Sequence, residues 1–156
     1  MKTTLERARQ KTNENNIDVL QAIIEKNYDA RQGYRKAMMD VQDPELKNFM
    51  QQQARQRSNF TNEIDQQIRN LGDTPIENGS MAATLHRTWI DIKTRVASNA
   101  DETIIEEVIR GEKAKVKEYK DALKNNLLAP QTHNLLQSQL KAIKNTLQDV
   151  KHFNAN

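Results

Sequence analysis

A chain of 156 residues with 36% hydrophobic and 29% charged positions, four Gly and three Pro, is long enough for one domain with a single sizeable core, and its balance favours long solvated helices over sheet. It contains no cysteine, which excludes disulfides and thiolate metal sites, and neither an apolar run of about 18 residues nor a signal-peptide pattern is present. The expectation is a soluble, cytoplasmic protein with no membrane partner. A net charge of +3 intersperses 24 basic residues with 21 acidic ones, a pattern that argues against a dedicated nucleic-acid surface.

Residues 1–14 hold Leu5 as the only large apolar residue after Met1, and read as a polar, frayed N-terminal arm outside a single helical bundle over residues 15–153. From Asn15 or Asn16, either one an N-cap, Leu20, Ile24, Tyr34, Met38 and Val41 recur at helical spacing. This first helix stops near Asp40, because Asp43 and Pro44 supply the N-cap and N1 proline of the next. The second helix carries Leu46, Phe49, Met50, Phe60, Ile64, Ile68 and Leu71, with Gly72 placed to cap its end. A surface connection with Pro75 leads to Ser80, which caps a shorter helix through about residue 98, with Leu85, Trp89, Ile92 and Val96 on one face. Asn99 and Glu102 form a capping-box pattern and start a long helix to about Lys124. Pro130 opens the last helix, which packs Leu135, Leu136, Leu140, Ile143, Leu147 and Val150. No sustained alternation marks a strand. The fold class is all-α: two antiparallel helical hairpins joined by a crossover with its own short helix.

The two hairpins repeat one another. Ile24, Asn27, Tyr34, Ala37 and Met38 have the spacing of Ile109, Glu112, Tyr119, Ala122 and Leu123, and each segment turns into a helix opened by proline, Pro44 or Pro130. Two related hairpins linked by a crossover are the plan of a ferritin-like four-helix bundle. The runs LHRTWIDIK and RGEKAKVKEY, with NYDARQGYRKA, DPELK and QRSNF upstream, resemble a bacterial family of uncharacterised ferritin-like four-helix-bundle proteins with HRxW and RGE…Y signatures. The resemblance implies the fold and an unassigned, stress-related function. It implies no activity.

A di-iron bundle needs a Glu from each of two helices and a Glu-x-x-His from each of the others. Glu112, followed by Tyr119, matches one such helix, but the equivalent place before Tyr34 is Asn27, a neutral side chain. The remaining helices offer Gln53-x-x-Gln56 or Arg57-x-x-Phe60, and Gln139-x-x-Ala142 or Ile143-x-x-Thr146, with neither acid nor imidazole. His86, His133 and His152 lie elsewhere, and Asp149-x-x-His152 sits on a terminal turn. No cofactor is expected. Glu112 is the candidate ligand if iron binds. Otherwise this acid, on the stripe of Ile105, Ile109, Val116 and Leu123, needs a buried partner. Counting outward from the turn at 41–43 puts Asn27 and Arg57 level, so the expectation is one buried polar layer of Asn27, Tyr34, Arg57, Glu112 and Tyr119, with Arg57 in the role of a metal. Arg31 is the alternative base for Glu112.

On the crossover, Trp89 reads as an anchor onto the bundle with His86 and Arg87 bonding at its border; the sharper reading is a small-molecule or partner site with Arg87 as an anion clamp. No nucleophile elbow or phosphate loop is present. The leading reading is a non-enzymatic bundle with a structural or interaction role, self-associating as a homo-oligomer or with a protein partner of unknown identity. The alternatives are a metal-binding, di-iron-type protein with a degenerate site around Glu112, and a weak nucleic-acid or anionic-surface binder.

Overall fold

The computed structural model describes residues 1–77 and 100–154. Within them the chain forms four α-helices and no strand: α1 Thr4–Asp40, α2 Pro44–Asn70, α3 Ala100–Leu123 and α4 Pro130–Asn154. The crossover helix expected over 80–98, with His86, Arg87 and Trp89, lies outside the described residues. Each hairpin packs against itself, α1 on α2 and α3 on α4, and the hairpins meet with α1 beside α3 and α2 beside α4.

Capping chemistry sets most of the boundaries. The Asp43 carboxylate accepts from the Leu46 N–H at 3.0 Å, with Pro44 in the first turn. At the end of α2, Gly72 adopts φ 90, and the Gly72 and Asp73 N–H groups donate to the Arg69 and Ile68 carbonyls, the paired bonds of a Schellman motif. A left-handed backbone of this kind favours glycine.

The start of α1 corrects the sequence reading. The helix begins at Thr4 rather than at Asn15 or Asn16, so most of the expected arm is helical. Thr3 and Glu6 form a capping box: the Glu6 N–H donates to Thr3 Oγ1 at 3.1 Å and the Thr3 N–H to Glu6 Oε2 at 2.8 Å. These turns are exposed from residue 1 through 11 and owe their helicity to the cap and to continuity with the buried part of α1. At 37 residues α1 is about 55 Å long, against about 40 Å for α2, so its first turns project beyond the bundle.

Asn16 is a tie between hairpins, not a cap. Its Nδ2 donates to the Leu127 carbonyl and its Oδ1 accepts from the Ala129 N–H, both at 2.8 Å, which holds the connection between α3 and α4. At the other end of the bundle, Asp101 of α3 accepts from the Gln42 N–H at 2.8 Å and the Asp43 N–H at 2.9 Å, which holds the turn between α1 and α2. Asn16 and Asp101 stand at the same spacing as Ile24 and Ile109. The clamps are therefore reciprocal: an equivalent residue in each hairpin grips the turn of the other, as a pseudo-two-fold relation requires.

Apolar burial falls into two clusters. One, near the 41–43 turn, contains Ala30, Val41, Leu46, Phe49, Met50, Ile104 and Val108; the other contains Leu20, Ile24, Phe60, Ile64, Ile68, Leu136 and Ile143. Each fully buried large aliphatic side chain contributes about 1.5–3 kcal/mol. Between the clusters lie the buried polar residues Asn27, Arg57 and Glu112, and Gln139 is buried within the second.

The Asp101 clamp is testable by urea unfolding. Asp101→Ala leaves two turn N–H groups without their charged acceptor and lowers stability by about 1–3 kcal/mol, while Asp101→Asn, which keeps one acceptor oxygen, loses less. A loss under about 0.5 kcal/mol for the alanine variant, the scale of an ordinary surface change, contradicts the clamp.

Candidate functional site

Seven residues separate Asn27 from Tyr34 on α1 and Glu112 from Tyr119 on α3, two turns of helix that put both members of each pair on one face. Because α1 and α3 run antiparallel, the pairs cross. Tyr34 Oη donates to Glu112 Oε1 at 2.9 Å, and Asn27 Nδ2 donates to Tyr119 Oη at 2.7 Å. The expected single layer is thus two rungs about 10 Å apart along the bundle, since antiparallel hairpins carry equivalent residues to opposite sides of their symmetry axis.

Arg57 of α2 joins the first rung. Its Nη2 lies 2.5 Å from Glu112 Oε2, with both side chains fully buried. The guanidinium carbon stands 5.8 Å from the Tyr34 ring centre and 5.7 Å from that of Phe60, so two aromatic faces receive charge that the carboxylate does not. Arg57 Nε and Nη1 have no hydrogen-bond partner among the described residues. Burial opposes the Arg57 charge, but the Glu112 carboxylate, aided by the tyrosines, outweighs it and pushes the guanidinium pKa up. Burial, reinforced by the Glu112 charge, holds the Tyr34 phenol well above its ordinary value.

The buried part of the second rung is neutral, and an exposed carboxylate, Glu63, borders it. Tyr119 Oη donates to Gln139 Oε1 at 2.7 Å, and Gln139 Nε2 donates to Glu63 Oε1 at 3.1 Å and to the Phe60 carbonyl at 3.3 Å. Burial raises the Tyr119 pKa, against the opposing Asn27 hydrogen bond and Arg57 charge. Towards the 41–43 end, the Thr146 hydroxyl donates to Gln53 Oε1 at 2.8 Å. Gln53 and Gln139 hold matched places in the repeat and supply neither acid nor imidazole for a metal; both instead finish a buried hydrogen-bond network.

Arg31, the alternative partner for Glu112, instead lies over the Tyr28 ring at 5.1 Å, and its pKa is lowered by burial and by Arg35. His133 is half-buried in the first turn of α4, and Asp149 and His152 are exposed near its end. Among the described residues no three His, Cys, Asp or Glu side chains cluster closely enough to hold a metal. Glu112 is the one carboxylate of the two rungs, and both of its oxygens are already bonded, to Arg57 and Tyr34. The residues present therefore do not fit the ligand set of a di-iron bundle.

A family model described as a domain of unknown function, DUF2383, matches residues 15–125. The chain belongs to the DUF2383 family. No curated protein sequence matches it. Among solved structures, this DUF2383 chain is similar to a mutant Dps1 of Mycobacterium smegmatis, with a TM-score of 0.78 at 15% identity over 92% of this chain and 97% of that one. It is also similar to a dodecameric thioferritin, the bacterioferritin-related protein of Bacteroides fragilis, with a TM-score of 0.75 at 15% identity over 92% and 86% of the two chains. A further Dps structure from Mycobacterium smegmatis has a TM-score of 0.65 at 18% identity over 92% and 87%. At these identities the likeness establishes the fold: the DUF2383 chain is a ferritin-like four-helix bundle.

The two buried tyrosines give the site a pH signature. Both pKa values are raised in the folded state, so the stability they contribute is fully present below the unfolded value near 10 and is lost as pH rises from there towards the folded values. Unfolding free energy should fall above about pH 10 by up to about 1.4 kcal/mol per pH unit for each tyrosine, and Tyr119→Phe should flatten that slope. Tyrosinate absorbance from both groups near pH 10 in the still-folded protein contradicts the burial of the rungs.

Proposed function

We propose that this DUF2383 protein is a structural or interaction protein, not an enzyme, whose ferritin-like bundle is held at its centre by a guanidinium in place of metal ions. The observation that carries the reading is the Arg57–Glu112 pair: the one acid of the rungs already meets a buried cation. A divalent ion seated there would have to displace the guanidinium or stand beside it, with no second carboxylate among the rung residues to offset the added charge. Self-assembly into a homo-oligomer belongs to the same proposal, and the dodecameric state of the Bacteroides fragilis relative supports it. Cytoplasmic residence rests on the cysteine-free composition and the sequence pattern, and a stress-related role rests on the family resemblance. No helix among the described residues is long and apolar enough to cross a membrane, which leaves a membrane role without support.

A metal-binding role is the second reading, favoured by the thioferritin and bacterioferritin-related description of one structural neighbour. Elemental analysis of the purified protein together with calorimetric titration of iron(II) and zinc(II) separates the two. The guanidinium-centred bundle binds neither ion stoichiometrically at micromolar affinity, and Glu112→Ala does not change the result. Two irons per chain at micromolar affinity, lost in Glu112→Ala, overturn the proposal.

A further inference from the structure

The large apolar side chains that remain exposed among the described residues are Met1, Leu5, Met39 and Leu127. None lies on the long sides of the bundle. Leu5 and Leu127 sit at the end that carries the first turns of α1 and the connection between α3 and α4, and Met39 sits in the last turn of α1 at the opposite end. Among the described residues these side chains are exposed singly and make no contiguous patch, but they are confined to the two ends.

The ends differ in charge and in shape. The projecting turns of α1 carry Lys2, Arg7, Arg9 and Lys11 against the acids Glu6 and Glu14. Leu5, Arg9 and Thr12 share one face of these turns, at i, i+4 and i+7. Where the projection meets the bundle, Arg9 and Thr12 line a corner of about 280 Å³ with Leu71 and Ala129, and Leu5 stands beyond it. The opposite end presents a groove of about 340 Å³ whose floor is Leu46, Ile105 and Phe153 and whose rim is Asp43, Glu45 and Glu102, with no basic side chain among the described residues that line it. Asp101 also lines the groove, but its carboxylate is committed to the Gln42 and Asp43 N–H groups, and that of Asp43 caps α2 through the Leu46 N–H. One end is thus a basic, apolar-studded projection and the other an acidic, apolar-floored groove.

We propose that this protein self-associates head to tail, with the first turns of α1 from one copy seated in the acid-rimmed groove at the 41–43 end of the next. Leu5 then covers the floor of Leu46, Ile105 and Phe153, and Arg9 and its basic neighbours face Glu45 on the rim. Charge selects this arrangement over a two-fold one. Pairing like ends would bring Lys2, Arg7, Arg9 and Lys11 of two copies together, or two acidic rims together, and like charges set face to face oppose association. A heterologous contact of this kind leaves one free projection and one free groove on every assembly, so growth continues until the rotation between copies closes a ring.

This inference specifies the interface of the self-assembly proposed above. Sedimentation velocity and light scattering of the full chain, across protein concentration and from low to high sodium chloride, test it with two charge reversals and their combination. The unaltered protein should show mass increasing with concentration, weakened by salt. Arg9→Glu and Glu45→Lys should each weaken association by about tenfold or more, and the doubly substituted chain should recover it to within a few-fold, since the reversed projection again meets a reversed groove. Circular dichroism checks that each variant keeps its helices. A monomer at every concentration overturns both the head-to-tail contact and the self-assembly reading. An oligomer indifferent to both single reversals, or a double variant no better than the singles, overturns this contact and leaves self-assembly standing.

Discussion

A buried cation bonded to a buried anion, Arg57 to Glu112, sets the terms for the middle of this bundle. Removing two charged groups from water is costly, and the attraction between them compensates only when the remaining polar atoms are also satisfied. The surrounding residues meet that requirement for the carboxylate: Arg57 takes one oxygen and Tyr34 the other. The guanidinium is met less completely by hydrogen bonds and is flanked by the rings of Tyr34 and Phe60. An arrangement with so few substitutes fixes the rotation of α1, α2 and α3 relative to one another, whereas the apolar clusters on either side would tolerate small shifts. The net contribution of such a pair to stability is modest, because desolvation offsets most of the attraction.

The same geometry explains why a duplicated architecture ends up asymmetric. The reciprocal turn clamps of Asn16 and Asp101 and the crossed bonds Tyr34–Glu112 and Asn27–Tyr119 all obey a pseudo-two-fold relation. The charge does not. Glu112 has Asn27 as its counterpart, and Arg57 falls opposite Ile143 in the repeat. One rung carries a complementary pair of charges and the other only amide and phenol groups in its buried part, so the buried part of each is close to neutral by itself. A metal centre requires carboxylates from several helices converging on one point. Here the polar groups are distributed over two levels and bonded to each other.

Much of this was legible because the signals are local. Asp43 with Pro44, Gly72 after Leu71, and Pro130 each state a helix boundary through backbone chemistry that does not depend on the rest of the fold. The partnership of Arg57 with Glu112 follows from counting residues outward from the first turn and from the need of a core acid for a cation. What was missed depends on distance. The first turns of α1 lack an apolar stripe, so periodicity did not register them, although Thr3 and Glu6 spell a capping box. Asn16 and Asp101 look like helix-start residues, and only the assembled bundle reveals that they hold turns far along the chain. The division of the polar layer into two rungs depends on where the symmetry axis crosses α1 and α3, which no spacing within one helix specifies.

The central claim is that Arg57 and Glu112 act as one unit at the heart of the bundle. A double-mutant cycle measured by urea unfolding, with Arg57→Met, Glu112→Leu and the combined variant, tests it most directly. Each single change strands a buried charge and should cost about 3–5 kcal/mol, while the combined variant, with apolar side chains in both places, should recover most of that loss. Losses that simply add would contradict the account.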